Sequence, residues 1–285
     1  MTAPGGPAPF VDLHMHSTAS DGSRAPADVV RAAARAKLAA IALTDHDTVA
    51  GLDEAMRAGE ELGVRVVPGV ELSAVEGDTE THLLGLHLRD TGVLESALAG
   101  LRGMRERRAR RIVERLGEIG VHITLDAVLA QAADGAIGRP HVARALIAEG
   151  WAVDSRDAFD RYLGAGRPAY VPKEQLGMRD AIAMIHDAGG LAVLAHPAAS
   201  GTRERLTALR EQGLDGVEVR HPSHSPSDTS RLAALARELE LVPSGGSDWH
   251  GAADGPRTIG MMQVPSEWLA QQEARLGSPG RASAT

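Results

Sequence analysis

The stretch VDLHMHSTASDGS occupies residues 11–23. A short apolar run ends in two histidines two residues apart, and a Ser/Thr/Asp/Gly loop follows. In an extended strand, residues i and i+2 point to the same face. His14 and His16 therefore aim two imidazoles at one place, with Leu13 and Met15 turned away. One such pair is a weak signal, and its meaning depends on what the other strands end in.

Working outward, short apolar runs recur along the 285 residues: PFVDLH, AAIALT (39–44), VRVVPGV (64–70), HLLGLHL (82–88), LAVLAH (191–196), GVEVR (216–220) and LVPSGG (241–246). RTIGMMQV (257–264) reads as an eighth. Helical patterns fall between them, near 26–37, 49–62, 178–188, 203–212 and 228–239, with Pro26 suited to a first helical turn. Repeated β-then-α units imply a mainly parallel sheet, and seven or eight of them imply closure into a barrel. The rhythm breaks between 95 and 165, where only helical patterns occur. The expected layout is a discontinuous barrel, 9–94 and 166–276, an inserted helical subdomain over 95–165, and flexible tails at 1–8 and 277–285.

Composition sets limits. Apolar residues make up 43% of the chain and aromatic ones only 2%, so the core is aliphatic, as suits a parallel sheet covered by helices. The formal charge of −8 argues against a surface that coats nucleic acid, but not against a small nucleotide held by metals. There is no cysteine, which excludes thiolate metal sites, a thiol nucleophile and disulfides. The first residues do not read as a signal peptide, and no apolar run approaches membrane-spanning length. A cytoplasmic location without an obligate protein partner is expected.

Six of the first seven strand-like runs carry a metal ligand or proton carrier at or near an end, and the seventh gains them a few residues later. After His14 and His16 comes Asp21. TDHDT supplies Asp45 and His46, GVELS supplies Glu71, and His82 opens the fourth run, so that strand should begin earlier. LAHP ends in His196, RHPSH holds His221 and His224, and SDWH holds Asp248 and His250. Strand C-termini and their loops form the active face of such barrels. Imidazoles mixed with carboxylates suit zinc, manganese or iron, and so many ligands exceed what one tetrahedral ion uses. Two or three divalent ions are expected.

HxH, TDHDT, GVELS and SDWH, in this order, resemble the PHP family, named for polymerase and histidinol phosphatase. The resemblance spans residues 11 to about 264 and implies a distorted (β/α)7 TIM-like barrel with a two- or three-metal centre. It assigns the first metal to His14, His16, Glu71 and Asp248. Glu71 bridges to a second metal completed by His82 and His196, and a third takes Asp21, His46 and His250. Carboxylate at position 21 favours manganese over zinc. GRPH (138–141), GRPAYVP (166–172), LAHP and VEVRHPSH resemble a narrower group that hydrolyses nucleotide phosphates, nucleoside 3′,5′-bisphosphates or the 5′ end of short RNA. The implied function is hydrolysis of phosphate monoesters by metal-activated hydroxide. Glu71 is then the catalytic bridge, and Asp45, His221 and His224 are candidate proton carriers. Arg139 and His141 open a helix, where amides already favour anions, and with Arg167 or Lys173 they would grip a substrate phosphate. The rivals are a histidinol-phosphate phosphatase, against which the GRPH-bearing insertion argues, and a non-catalytic metal-binding module, against which the filled ligand positions argue. The arginine-rich stretch 102–115 reads as a solvated helix, and His87 as structural because it points away from His82.

Overall fold

The computed structural model describes residues 10–277 apart from 78, 133–136, 173–175 and 253–256. The two expected tails, save for residue 277, lie outside the described residues. The chain divides into two compact units, one made of residues up to Glu95 together with those from Leu176, the other of Ser96–Gln175.

The first unit is one eight-stranded sheet: β1 (Phe10–Asp12), β2 (Ala40–Leu43), β3 (Arg65–Glu76), β4 (Thr79–Leu86), β5 (Leu191–Leu194), β6 (Gly216–Arg220), β7 (Val242–Gly245) and β8 (Val264–Pro265). Its order is β7-β6-β5-β4-β3-β2-β1-β8. Beyond β1 the chain stays extended, and the Leu13 amide donates to the Gly245 carbonyl at 3.1 Å. That bond and the parallel bridge Met15↔Trp249 bring the two ends of the sheet together, so the sheet is a nearly closed barrel. Pairing is parallel for β1/β2, β2/β3, β5/β6 and β6/β7.

Two departures from uniform β/α repetition matter. Only two residues separate β3 from β4, too few for a crossover, so β4 runs antiparallel to β3 and also to β5. Reversal places the start of β4 level with the C-terminal ends of its neighbours, and the Ala195 amide donates to the His82 carbonyl at 3.1 Å. The strand begins before His82, as expected from the ligand's early position. The second departure is β8, which shrinks to two residues antiparallel to β1. Within the expected strand 257–264, Gly260 and Gln263 have φ of +72° and +48°, which an extended run does not tolerate.

Helices α1 (Pro26–Arg35) and α2 (Leu52–Leu62) follow β1 and β2. Helix α3 (Thr91–Glu118) leads into α4 (Leu125–Ala132), α5 (Arg139–Ala148) and the single turn α6 (Ser155–Ala158). Helices α7 (Met178–Asp187), α8 (Arg203–Glu211) and α9 (Pro226–Glu238) precede β5, β6 and β7. A last helix not anticipated from sequence, α10 (Ser266–Leu276), adds Leu269 to a core of Val11, Leu13, Leu84, Val193 and Val242.

The second unit has its own apolar core, including Ile112, Leu116, Val142, Leu146 and Leu163. Ala169 and Val171 are buried in it, so the described part of 166–175 belongs with the helices rather than with the barrel. The arginine-rich stretch explains this. Arg110 pairs with Glu106 at 3.2 Å as a solvated i, i+4 pair, but Arg108 donates twice to the Val171 carbonyl, at 3.0 and 2.8 Å. Arg115 donates to the Tyr170 carbonyl. These guanidiniums satisfy backbone acceptors that would otherwise be left without partners.

Candidate metal centre

Glu71 lies at the middle of the site, buried on β3. Its backbone is fixed by the neighbouring loop: the Glu71 amide donates to the Asp45 carbonyl at 3.1 Å, and the Asp47 amide donates to the Glu71 carbonyl at 2.9 Å. One carboxylate oxygen, Oε2, lies 3.1 Å from His14 Nε2, 3.1 Å from His16 Nε2 and 3.4 Å from His46 Nε2. The other, Oε1, lies 2.9 Å from His82 Nδ1 and 3.0 Å from His196 Nε2. One carboxylate thus faces two separate sets of imidazoles, one set per oxygen.

Asp248 completes the first set, its Oδ1 3.5 Å from His14 Nε2 and 3.2 Å from His16 Nε2. Asp21 lies 3.3 Å from His250 Nε2, 3.6 Å from His16 Nδ1 and 3.9 Å from His46 Nε2. The structure therefore brings together all nine residues expected as ligands. Among them, His196 and Asp248 adopt left-handed backbone, φ +30° and +51°, a conformation uncommon for non-glycine residues.

The residues present fit divalent cations. His16 is fully buried and neither ring nitrogen has a hydrogen-bond partner among the described residues, although two carboxylate oxygens sit within 3.2 Å of Nε2. Buried donors and acceptors are otherwise almost always paired. Close approach without hydrogen-bond geometry is what ligands converging on one cation show. His14 is oriented from its other nitrogen: Nδ1 donates to Glu218 Oε1 at 3.1 Å, which turns Nε2 toward Glu71 and Asp248. Burial alone would lower the His14 pKa, but the charges of Glu71 and Glu218 outweigh it and lift it well above the usual histidine value. Burial likewise opposes ionisation of Glu71 and Asp248, yet the facing histidines hold both well below the carboxylate range. Asp21, which accepts from His250, is lowered to about 2.

The three candidate proton carriers separate. Asp45 accepts from the Ser17 amide, the Ser17 hydroxyl and the Ser20 hydroxyl, each at 2.7 Å, and so clamps the loop after His16. His224 is locked at both nitrogens, Nδ1 donating to the Val219 carbonyl at 3.0 Å and Nε2 accepting from the Ala198 amide at 3.1 Å. Among the described residues, neither belongs to the ligand atoms gathered around Glu71. His221 does face the cluster. Its Nδ1 accepts from the Ser223 amide at 3.1 Å, so the proton of the neutral ring sits on Nε2, 3.3 Å from Asp248 Oδ2.

Two functional candidates went unnoticed in the sequence. Glu218 is fully buried on β6, orients His14 and accepts from the His196 amide at 2.7 Å; carboxylates behind ligating histidines tune and orient them. A charged residue between two valines in GVEVR was its available signal. Arg257 lies 2.5 Å from Asp248 Oδ2. It lines, with Ser223, a hollow of about 320 Å³ otherwise walled by His221 and expected ligands. Nothing in the local sequence marks it.

Of the residues expected to bind a phosphate, Arg139 donates to the Leu163 carbonyl at 3.2 Å and lies over the Phe159 and Tyr170 rings at 5.6 and 5.5 Å. His141 Nδ1 accepts from the Gly138 amide at 2.9 Å and so caps its own helix. Arg167 is exposed, and Lys173 lies outside the described residues.

His87 is buried away from this cluster, with Nε2 3.0 Å from Gln272 Oε1. His87→Ala is expected to cost about 1–2 kcal/mol by taking the partner from buried Gln272 Oε1 and to leave metal content unchanged. Loss of bound metal on elemental analysis would contradict that separation.

Comparison with known proteins now adds to the geometry. A family model for the PHP domain matches residues 12–136. A 3′,5′-nucleoside bisphosphate phosphatase from Chromobacterium violaceum is 39% identical over 266 residues, 88% of this chain and 90% of that protein. The chain belongs to the PHP family. The 5′-3′ exoribonuclease Rnm of Escherichia coli is 38% identical over 253 residues, covering 85% of this chain and 86% of its own. A solved structure from Bifidobacterium adolescentis, described there as a proposed metal-dependent phosphoesterase, superposes with a TM-score of 0.69 at 36% identity. It covers 94% of this chain and 97% of that one. In this PHP chain no helix among the described residues is long and apolar enough to cross a membrane.

Proposed function

We propose that this chain is a metal-dependent phosphoesterase that hydrolyses phosphate monoesters of nucleotides, with nucleoside 3′,5′-bisphosphates or 5′-phosphorylated short RNA as preferred substrates. The observation that carries the reading is the division of Glu71 between two imidazole sets. His14, His16, Glu71 and Asp248 would hold one ion, Glu71, His82 and His196 a second, and Asp21, His46 and His250 a third, with manganese first and zinc or iron next. Bound there, divalent cations neutralise charge on the phosphoryl oxygens and acidify a water.

The protein's own groups do the rest. Glu218 fixes the His14 ring and Asp45 fixes the loop carrying His16, so the donors are preorganised. Arg257 and Ser223 present an N–H and an O–H to the same hollow, where a phosphoryl group needs donors. His221, with its Nε2–H facing the hollow, is placed to donate a hydrogen bond to a phosphoryl or leaving-group oxygen. In the 96–175 unit, Arg108 and Arg139 are close enough that the charge of Arg139, after burial, lowers the Arg108 pKa. Two crowded guanidiniums favour an anion, and we assign recognition of a second phosphate to Arg139, with His141, Arg167 and Lys173 as its supporting groups.

The test is turnover of nucleoside monophosphates, 3′,5′-bisphosphates, 5′-phosphorylated oligoribonucleotides and histidinol phosphate with manganese. Higher kcat/KM on bisphosphate or RNA supports the reading, and preference for histidinol phosphate or no turnover at all overturns it. Arg139→Ala should reduce the bisphosphate preference by roughly ten- to a hundredfold, the loss expected for one charge-assisted contact. An equal slowing of mono- and bisphosphates would remove Arg139 from substrate recognition.

A further inference from the structure

Asp12 is a fully buried carboxylate that takes no part in the ligand cluster around Glu71. It ends β1, two residues before His14. Taking a carboxylate out of water is costly unless its oxygens are paired, and both are. Oδ1 accepts from the Ser247 amide and Oδ2 from the Gly260 amide, each at 2.8 Å.

The two segments held in this way meet at the site. Ser247 precedes Asp248, and Gly260 lies three residues after Arg257, whose guanidinium is 2.5 Å from Asp248 Oδ2. They are not equally secured. Main-chain bonds fix the Ser247 side, from the Leu13 amide to Gly245, the Asp248 amide to His14 and the His16 amide to Trp249, at 3.1, 2.9 and 2.9 Å. The other side is anchored further from its functional residue. Among the described residues, β8 pairs with β1 at Val264 and Pro265, Arg220 donates to the Met262 and Gln263 carbonyls, and Asp12 accepts from Gly260. Of these anchors, the Asp12 bond lies nearest to Arg257 along the chain.

We propose that Asp12 is a positioning residue for Arg257. Its carboxylate pins the turn at Gly260, so that the guanidinium stays over Asp248 and reaches a phosphoryl group in the hollow it lines. This rests on the function proposed above, in which Arg257 donates to that group. Asp12→Asn tests it with little change of size. A carboxamide has one oxygen, so one of the two N–H donors loses its acceptor. Ser247 is fully buried and Gly260 partly exposed. An unpaired amide costs more at the buried position, so the oxygen stays with Ser247 and the loss falls on Gly260.

The experiment uses the full chain with manganese, as wild type, Asp12→Asn, Arg257→Ala and the double variant, with metal content measured in each. Asp12→Asn should lower kcat/KM on adenosine 5′-monophosphate about tenfold, chiefly through KM, but less than about twofold where Arg257 is already alanine. A merely structural role gives the same factor in both backgrounds, and that result overturns the proposal. So does loss of bound manganese in Asp12→Asn, since Asp248 rather than Arg257 would then have moved. Trypsin gives a reading that needs no turnover. Cleavage after Arg257, relative to cleavage at the other arginines, should quicken about fivefold or more in Asp12→Asn, and an unchanged ratio overturns the proposal. If wild-type protein hydrolyses no phosphate ester, the function proposed above fails instead, and the tryptic ratio alone decides whether Asp12 holds the turn. If Asp12→Asn does not fold, hydrogen exchange of the wild type decides: a protected Gly260 amide supports the anchor, and exchange at the rate of an open loop overturns it.

Discussion

Glu71→Gln leaves the chain folded and removes its activity. The amide keeps the size of the side chain but not the charge shared between His14, His16 and His46 on one oxygen and His82 and His196 on the other. Charge stabilisation by bound metals is worth several kcal/mol, so turnover should fall by about a thousandfold or more. His14 keeps its bond to Glu218 and Asp45 still clamps the loop after His16, so far-ultraviolet circular dichroism should match wild type. Elemental analysis should show fewer bound ions. Near-normal turnover in this variant would sink the bridging assignment.

Gly246→Ala should be the most damaging small substitution in the barrel. An added Cβ would stand 2.4 Å from His14 Cβ and 2.5 Å from His14 N. Those are Cβ and backbone atoms of the segment just beyond β1, and no flexible tip can move aside. The clash falls where the sheet closes, between the Leu13–Gly245 bond and the bond from the Asp248 amide to the His14 carbonyl at 2.9 Å. Overpacking of this kind costs roughly 3 kcal/mol or more, or a melting temperature lower by on the order of 10 °C. Because His14 and Asp248 flank the clash, metal affinity should drop with stability. A melting temperature within 2 °C of wild type, with metal content unchanged, would show that the seam adjusts freely.

The strands were legible because apolar runs and their period are local properties. Histidines two apart in an extended run must share a face, whatever the rest of the chain does. His82 was the informative irregularity: a ligand at the start of a run is out of place in a parallel barrel, and antiparallel β4 restores it to the common end. The eighth run misled because TIGMMQ has strand-like composition, while Gly260 and Gln263 take left-handed backbone. The segment 166–175 misled because its helical-unit partners, Arg108 and Arg115, lie more than fifty residues earlier.

Residue type and spacing by themselves determined that imidazoles and carboxylates gather at strand ends, that thiol chemistry is absent and that a helical unit interrupts the barrel. Those follow from covalent geometry and composition. Which group does what was decided only by tertiary structure. Asp45 and Asp248 are the same side chain in similar motifs, yet Asp45 is held by Ser17 and Ser20 and Asp248 faces His14 and His16. His221 and His224 stand three residues apart, and only the second has both nitrogens taken by backbone groups. Glu218 reaches His14 across 204 positions of sequence, a contact that exists only once the sheet has curved round on itself. A side chain's chemistry depends on which hydrogen-bond partners burial leaves it, and those partners come from parts of the chain that no local pattern connects.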